Sequence, residues 1–164
     1  MNIRHYRPED LDAVLALNNA EAKWVGLEEK SFFETYQSIP QFNVAIDDEK
    51  VCAFLMAMGP EVEYESLNFH WFKERLPNFA YIDRVVVEPT KRNQGIASKL
   101  YQDLFARNSG LPIVCEVAIN PPNQESIQFH EKRGFRGMGT FSSDGHKECT
   151  MYIRRQFQQS SSSQ

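Results

Sequence analysis

Long apolar runs are missing from this sequence: nothing in its 164 residues approaches the roughly 18 to 20 consecutive apolar positions that span a bilayer. The opening MNIRHYRPED is not a secretory signal, so a cytoplasmic protein with no membrane partner is expected. Positive charge is scarce too. Lys and Arg number 18 against 22 Asp and Glu, a formal net charge of −4, whereas nucleic acid or an anionic membrane needs Lys and Arg clustered on one face. No nucleic-acid partner is expected. Cysteine is limited to Cys52, Cys115 and Cys149, an odd number, and two of them lie in the apolar runs Val51 to Met56 and Ile113 to Val117. A free thiol there behaves as a small hydrophobe, which suits a reducing compartment. No internal repeat is visible.

What is present is a soluble globular composition, with 41% apolar, 24% charged and 12% aromatic residues. One core is efficient at this length and two would each be marginal, so a single domain over residues 1–157 is expected. The Ser/Gln-rich residues 158–164 have nothing to bury and are expected to be a disordered tail.

Asn2 to Arg7 reads as a short strand, and Pro8-Glu9-Asp10 as a helix start that puts Leu11, Val14, Leu15 and Asn18 on one face. A second helix is expected over Ser31 to Ser38, with Ser31 as cap and Glu34 completing a capping box, closed by Pro40. Phe42 to Ile46 and Val51 to Met58 form an expected antiparallel hairpin around Asp47 to Lys50, although no Asn-Gly or Asp-Gly sets the turn type. Gly59 to Asn78 is a long, partly helical connection mixing Glu61, Glu63, Glu65 and Glu74 with Tyr64, Phe69, Trp71 and Phe72. Such a connection is a candidate for docking a cationic acceptor, or a loop whose aromatics pack on the sheet.

Tyr81 to Glu88 is a strand rich in β-branched residues, ended by Pro89. Ile96, Ala97, Leu100, Tyr101, Leu104 and Phe105 recur at helical spacing up to Asn108-Ser109-Gly110. A buried strand over Ile113 to Ile119, a helix over Asn123 to Arg133 with Gly134 as its C′ residue, and strands over Phe135 to Phe141 and Glu148 to Ile153 follow.

The segment Arg92-Asn93-Gln94-Gly95-Ile96-Ala97 lies between a strand and an amphipathic helix. A strand, a glycine turn and a helix N-terminus present unpaired N–H groups and the positive end of a dipole, which suits a pyrophosphate. Gly95 allows close approach, Ala97 keeps it unobstructed, and Arg92 or Lys91 can add a charged contact. The plain alternative is an ordinary βα turn with one glycine. The segment is neither a Walker A loop nor a Rossmann GxGxxG.

These residues resemble the GNAT acetyltransferases, whose central motif is Arg or Gln, two residues, Gly, one residue, then Gly or Ala, after a strand ending like Val87-Glu88-Pro89. The family's second signature, Asn, six residues, an aromatic, then Glu-Lys-x-Gly-Phe, appears as Asn123 followed by His130-Glu131-Lys132-Arg133-Gly134-Phe135. The resemblance spans Ile3 to Ile153 and is strongest over Tyr81 to Phe135. It implies an α+β GNAT fold, an α/β sandwich whose mixed, mainly antiparallel sheet is flanked by helices, with the strands before Arg92 and over Ile113 to Ile119 splaying apart. It also implies acetyl-CoA (coenzyme A) as donor, with Val85, Val86 and Val87 along the pantetheine arm and acetyl group. Arg92, Asn93, Gln94, Gly95, Ile96, Ala97 and Ser98 would hold the pyrophosphate, and Asn123 would contact the pantetheine arm or serve as a plain N-cap, or both.

The chain departs from the family at His130, where Tyr is usual, and in two residues inserted between Ile119 and Asn123. An imidazole suits protonation of a leaving thiolate, while a lone His on an amphipathic helix is also commonly a packed residue. Glu116 and Asp83 interrupt apolar strands, so each must be paired, face solvent or occupy a polar site. The resemblance makes each a candidate base for the amine, with a salt bridge to a basic neighbour across the sheet as the alternative for Asp83. The implied reaction is direct, metal-free acetyl transfer to a primary amine of a small molecule or peptide, helped by a backbone N–H near Val85 or Val87. A non-catalytic acyl-CoA-binding sensor or interaction module is the rival. A homodimer is left open, since GNAT domains commonly dimerise and no segment here demands it.

Overall fold

The computed structural model of the chain describes residues 1–156, so the tail expected at 158–164 lies outside the described residues. Among the described residues seven strands form a mixed sheet in the order β1-β2-β3-β4-β5-β7-β6, accompanied by six α-helices. Pairing is antiparallel for β1 with β2, β2 with β3, β5 with β7 and β6 with β7, and parallel for β4 with β5. Backbone contacts divide the chain into two compact units, the first of Met1–Met58 with Ile82–Leu104 and the second of Gly59–Tyr81 with Phe105 onward.

The first unit opens with β1 (Asn2–His5), a 3₁₀ turn at Pro8–Asp10 and α1 (Leu11–Ala20), which buries Val14 and Asn18. Arg4 grips Asp10 through two hydrogen bonds of 2.7 and 2.9 Å, and the Arg7 N–H adds a third at 2.8 Å, fixing the entry to α1. Two short helices follow, α2 (Ala22–Val25) and α3 (Lys30–Thr35). The second helix thus starts one residue before Ser31, and Glu29 stands at its N-cap without a side-chain cap bond. The expected Ser31 capping box does not form, and the Ser31 carbonyl instead accepts from the Thr35 hydroxyl at 2.8 Å.

β2 (Gln41–Asp47) and β3 (Lys50–Met58) make the expected hairpin. Its two turn residues, Asp48 and Glu49, have φ of 51° and 63°, the left-handed pair that a type I′ turn requires and that Asn-Gly usually supplies. Phe33, Phe42 and Phe54 are fully buried with ring centroids about 6 Å apart, and Tyr6 stacks on Phe42 at 4.2 Å. Each such ring contributes roughly 1.5–3 kcal/mol of apolar burial. β4 (Ala80–Val87) from Ile82 onward and α5 (Ile96–Arg107) as far as Leu104 complete this unit.

In the second unit the long connection holds α4 (Leu67–Lys73), capped by the Ser66 hydroxyl, which accepts from the Phe69 N–H at 3.3 Å. Phe69 and Phe72 are fully buried against Tyr81, with centroids 5.6 and 5.9 Å away, so these two aromatics belong to the core. β5 (Ile113–Asn120), α6 (Gln124–Lys132), β6 (Arg136–Phe141) and β7 (Glu148–Arg154) follow as the sequence pattern suggests. Among the described residues the β4–β5 ladder comprises Ala80 opposite Ile113 and Tyr81 opposite Val114, and Val85 to Val87 lie beyond it. No helix of the described residues is long and apolar enough to cross a membrane.

Candidate functional site

In the first unit β4 runs through Val85, Val86 and Val87, with Val86 buried and its two neighbours half-buried. The Glu88 N–H donates to the Cys52 carbonyl at 2.8 Å, and a 3₁₀ turn at Pro89–Lys91 then turns the chain toward α5. Asn93 and Gly95 both adopt left-handed backbone, with φ of 63° and 79°. Arg92, Asn93, Gln94 and Gly95 are exposed, while Ile96 is buried and anchors the helix start. A Cβ placed on Gly95 would meet no protein atom within 4 Å. Packing therefore does not demand glycine there; the backbone conformation does, and the space beside it is open. Helical bonding begins with the Lys99 N–H donating to the Gly95 carbonyl at 3.0 Å, which leaves the preceding N–H groups of Ile96 to Ser98 at the helix N-terminus. A pyrophosphate fits this arrangement.

The two cations expected beside that turn are each held by a carboxylate. Lys91 donates to Asp47 at 2.9 Å, a hydrogen bond that raises the pKa of the ammonium and lowers that of Asp47. Arg92 pairs with Glu21, the residue between α1 and α2.

Asp83 also lies in the first unit, where its carboxylate accepts from Arg84 Nε at 2.6 Å. Asp83 thus forms a salt bridge with its chain neighbour Arg84. Arg84 is itself buried, donating to Asn18 Oδ1 and Glu28 Oε2 at 2.9 Å each and stacking over Phe32 with its guanidinium carbon 4.4 Å from the ring centroid. Asn18 in turn donates to the Gly26 carbonyl at 2.9 Å. Asn19 bonds both the N–H and the carbonyl of Glu28, at 3.0 and 3.2 Å. A polar residue on the buried face of α1 was the signal that such a network exists; its partners could not be named from spacing.

In the second unit Glu116 sits between the buried Cys115 and Val117 on β5. Tyr81 Oη lies 2.9 Å from both carboxylate oxygens, and Asn68 Nδ2 donates to Oε1 at 3.2 Å. The phenol has one proton to give and so donates to one of the two oxygens at a time. Sequence reasoning missed Tyr81 and Asn68. The available signal was Tyr81 itself, because a tyrosine buried in a central strand needs a partner for its hydroxyl. Cys149 is held protonated, its pKa pushed to about 11 by burial and then by Glu116, and Cys115 is raised by the same causes.

Asn123 caps α6, its side-chain oxygen accepting from the Ser126 N–H at 3.3 Å, and its own N–H donates to the Ala118 carbonyl at 2.9 Å. A bridge between Ile119 and Pro122 absorbs the two inserted residues, so the N-cap reading holds. His130 is buried, with its ring 5.0 Å from Phe135 and stacked on Tyr152 at 6.3 Å. Burial lowers its pKa from 6.5 to about 4. Nδ1 lies 2.7 Å from the Ser126 carbonyl, which can only accept, so the proton of the neutral ring sits on Nδ1. These surroundings favour the packed alternative for His130, because at neutral pH its one ring proton is committed to a backbone carbonyl.

The profile of the Acetyltransferase (GNAT) family matches residues 11–135, and the chain belongs to that family. No curated protein matches the sequence. Solved structures similar to it include Chaetomium thermophilum Naa20 in complex with a bisubstrate analogue, at 22% identity over 95% of this chain and 87% of that one, with a TM-score of 0.77. Arabidopsis thaliana NAA60 in complex with acetyl-CoA shares 18% identity over 94% and 98%, with a TM-score of 0.73. The ribosomal-protein-S18-alanine N-acetyltransferase of Escherichia coli shares 16% over 99% and 98%, with a TM-score of 0.69. These likenesses establish the GNAT fold.

Proposed function

We propose that residues 1–157 act as one acetyl-CoA-dependent N-acetyltransferase domain that acetylates a primary amine of a small molecule or peptide. The observation that carries this reading is the open left-handed turn at Asn93 and Gly95 before α5. Asn93 to Ser98 would hold the pyrophosphate of coenzyme A through backbone N–H groups, with Arg92 adding a charged contact. The backbone of Val85 to Val87 would hold the pantetheine arm, and a backbone N–H at Val85 or Val87 would donate to the thioester carbonyl. Asn123 would contact the same arm while capping α6. When bound, acetyl-CoA supplies a thioester carbonyl open to an amine nucleophile.

An alkylamine has a pKa of about 10 by analogy with Lys, so it arrives protonated and needs a base. Glu116 is assigned that role, because Tyr81 and Asn68 position its carboxylate on β5. Asp83, engaged by Arg84, serves as an anchor in this reading. A thiol of pKa about 8.5 leaves readily as its anion near neutral pH, so the reaction does not oblige His130 to act as an acid. The acceptor panel should include peptide amino termini, since one neighbour is named for acetylating an alanine of ribosomal protein S18.

The rival reading, an acyl-CoA-binding module without catalysis, draws on the burial of His130. Thiol release from acetyl-CoA against a panel of small amines and peptide amino termini separates the two. Turnover on any amine supports the enzyme; coenzyme A binding with no turnover on any of them supports the module.

A further inference from the structure

Arg92 occupies two roles at once. It opens the Asn93–Ser98 turn, and its guanidinium is held by Glu21, between α1 and α2. The far end of the same segment is braced to β4, where Arg84 binds Glu28 and, through Asn18, the Gly26 carbonyl. Residues 21–29 are therefore strapped at both ends by arginines, one buried and one exposed beside the turn. Lys91, the other nearby cation, is tied to Asp47.

We infer that Glu21 is a positioning residue that sets the affinity for coenzyme A: its carboxylate competes with the pyrophosphate for the Arg92 guanidinium and so couples occupancy of the turn to the 21–29 strap. The inference rests on the coenzyme A reading of Asn93–Ser98. The carboxylate orders the Arg92 side chain, which helps a phosphate contact, but an anion bound by the same guanidinium would lie close to that negative charge. Like charges at that range repel by more than the ordering of one exposed side chain contributes. The charge effect wins, and an arriving pyrophosphate weakens the Glu21–Arg92 pair.

The test is calorimetric titration of coenzyme A into the wild-type protein, Glu21→Gln, Arg92→Gln and the double variant, with hydrogen exchange of residues 22–25 followed alongside. Glu21→Gln is expected to bind about threefold more tightly, a gain that a merely structural residue would not produce. The gain should vanish in the Arg92→Gln background, and coenzyme A should speed exchange at Ala22–Val25 in wild type toward the Glu21→Gln level. Weaker or unchanged binding in a folded Glu21→Gln protein, a gain that survives without Arg92, or wild-type exchange that coenzyme A leaves unchanged or slows would each overturn the inference. If the wild-type protein binds no coenzyme A, the reading of the turn itself fails, and the inference falls with it.

Discussion

Two acids interrupt apolar strands in this protein, Asp83 on β4 and Glu116 on β5, and their surroundings differ in kind. Asp83 meets a guanidinium that also serves Glu28 and Asn18, so its carboxylate is one corner of a network holding residues 26–28 to β4. Glu116 accepts from a phenol and an amide, both neutral donors. A guanidinium partner holds a carboxylate by charge, whereas a phenol and an amide hold it in place by neutral hydrogen bonds. The same residue chemistry on neighbouring strands thus divides into an anchor and a candidate base.

The comparison breaks most sharply at Glu116→Gln. The amide keeps the shape but cannot take a proton, so kcat should fall by about 10²- to 10⁴-fold while the thermal midpoint moves little. Asp83→Asn should show the reverse, a lower midpoint with kcat within about tenfold at a temperature where the variant is folded. Steady-state rates and melting curves on the two variants decide the matter, and equal loss of rate in both would dissolve the distinction.

Arg84→Ala should be the most damaging change to the fold. It removes the guanidinium that pairs with both Asp83 and Glu28, and breaking a buried pair in this way costs roughly 3–5 kcal/mol. Denaturant unfolding measures the loss. A drop below about 1 kcal/mol would mean that the network is worth no more than surface ion pairs.

His130 supplies the next effect, in acid. Its pKa of about 4 lies below the ordinary 6.5, so as pH falls through that window the unfolded chain takes up a proton that the folded state refuses. Stability present above pH 6.5 should therefore be lost as pH falls to 4, by about 3 kcal/mol in total for this group. Unfolding midpoints between pH 7 and 4 should fall less steeply in His130→Phe than in wild type; parallel slopes would show that this imidazole does not drive the loss.

The smallest effect sharpens the Glu116 side. Tyr81→Phe removes one donor and leaves Asn68, so a cost of about 1–3 kcal/mol is expected, felt in kcat more than in KM for acetyl-CoA. An unchanged kcat with only a lower melting point would make Tyr81 a packing residue.

Much of the architecture is legible in the order of residues alone. Strand alternation, the helical spacing from Ile96, and the paired signatures at Arg92–Ala97 and Asn123–Phe135 depend on local periodicity and on motifs a few residues long, and the strands, α5, α6 and the family follow from them. The Ser31 cap failed because Ser-x-x-Glu scores a local preference, while the helix start was decided by where Phe33 packs. The Gly59–Asn78 connection was legible only as a length and a composition. That Phe69 and Phe72 go to the core while Asn68 turns to Glu116 follows from how α4 is rotated, which its polar and apolar neighbours decide together.

The clearest division lies in the charged groups. Sequence by itself determined which positions are anomalous: an acid in each of two apolar strands, an asparagine on the buried face of a helix, and a histidine where the family carries tyrosine. Tertiary structure decided what Asn18 and Glu116 do, because their partners lie far away along the chain, whereas Asp83 and His130 bond residues one and four positions away. Arg84 reaches Asn18 and Glu28 across 66 and 56 positions, and Tyr81 and Asn68 reach Glu116 across 35 and 48. A hydrogen bond acts only within about 3 Å, so no pattern read along the sequence can assign it until folding brings the two ends together.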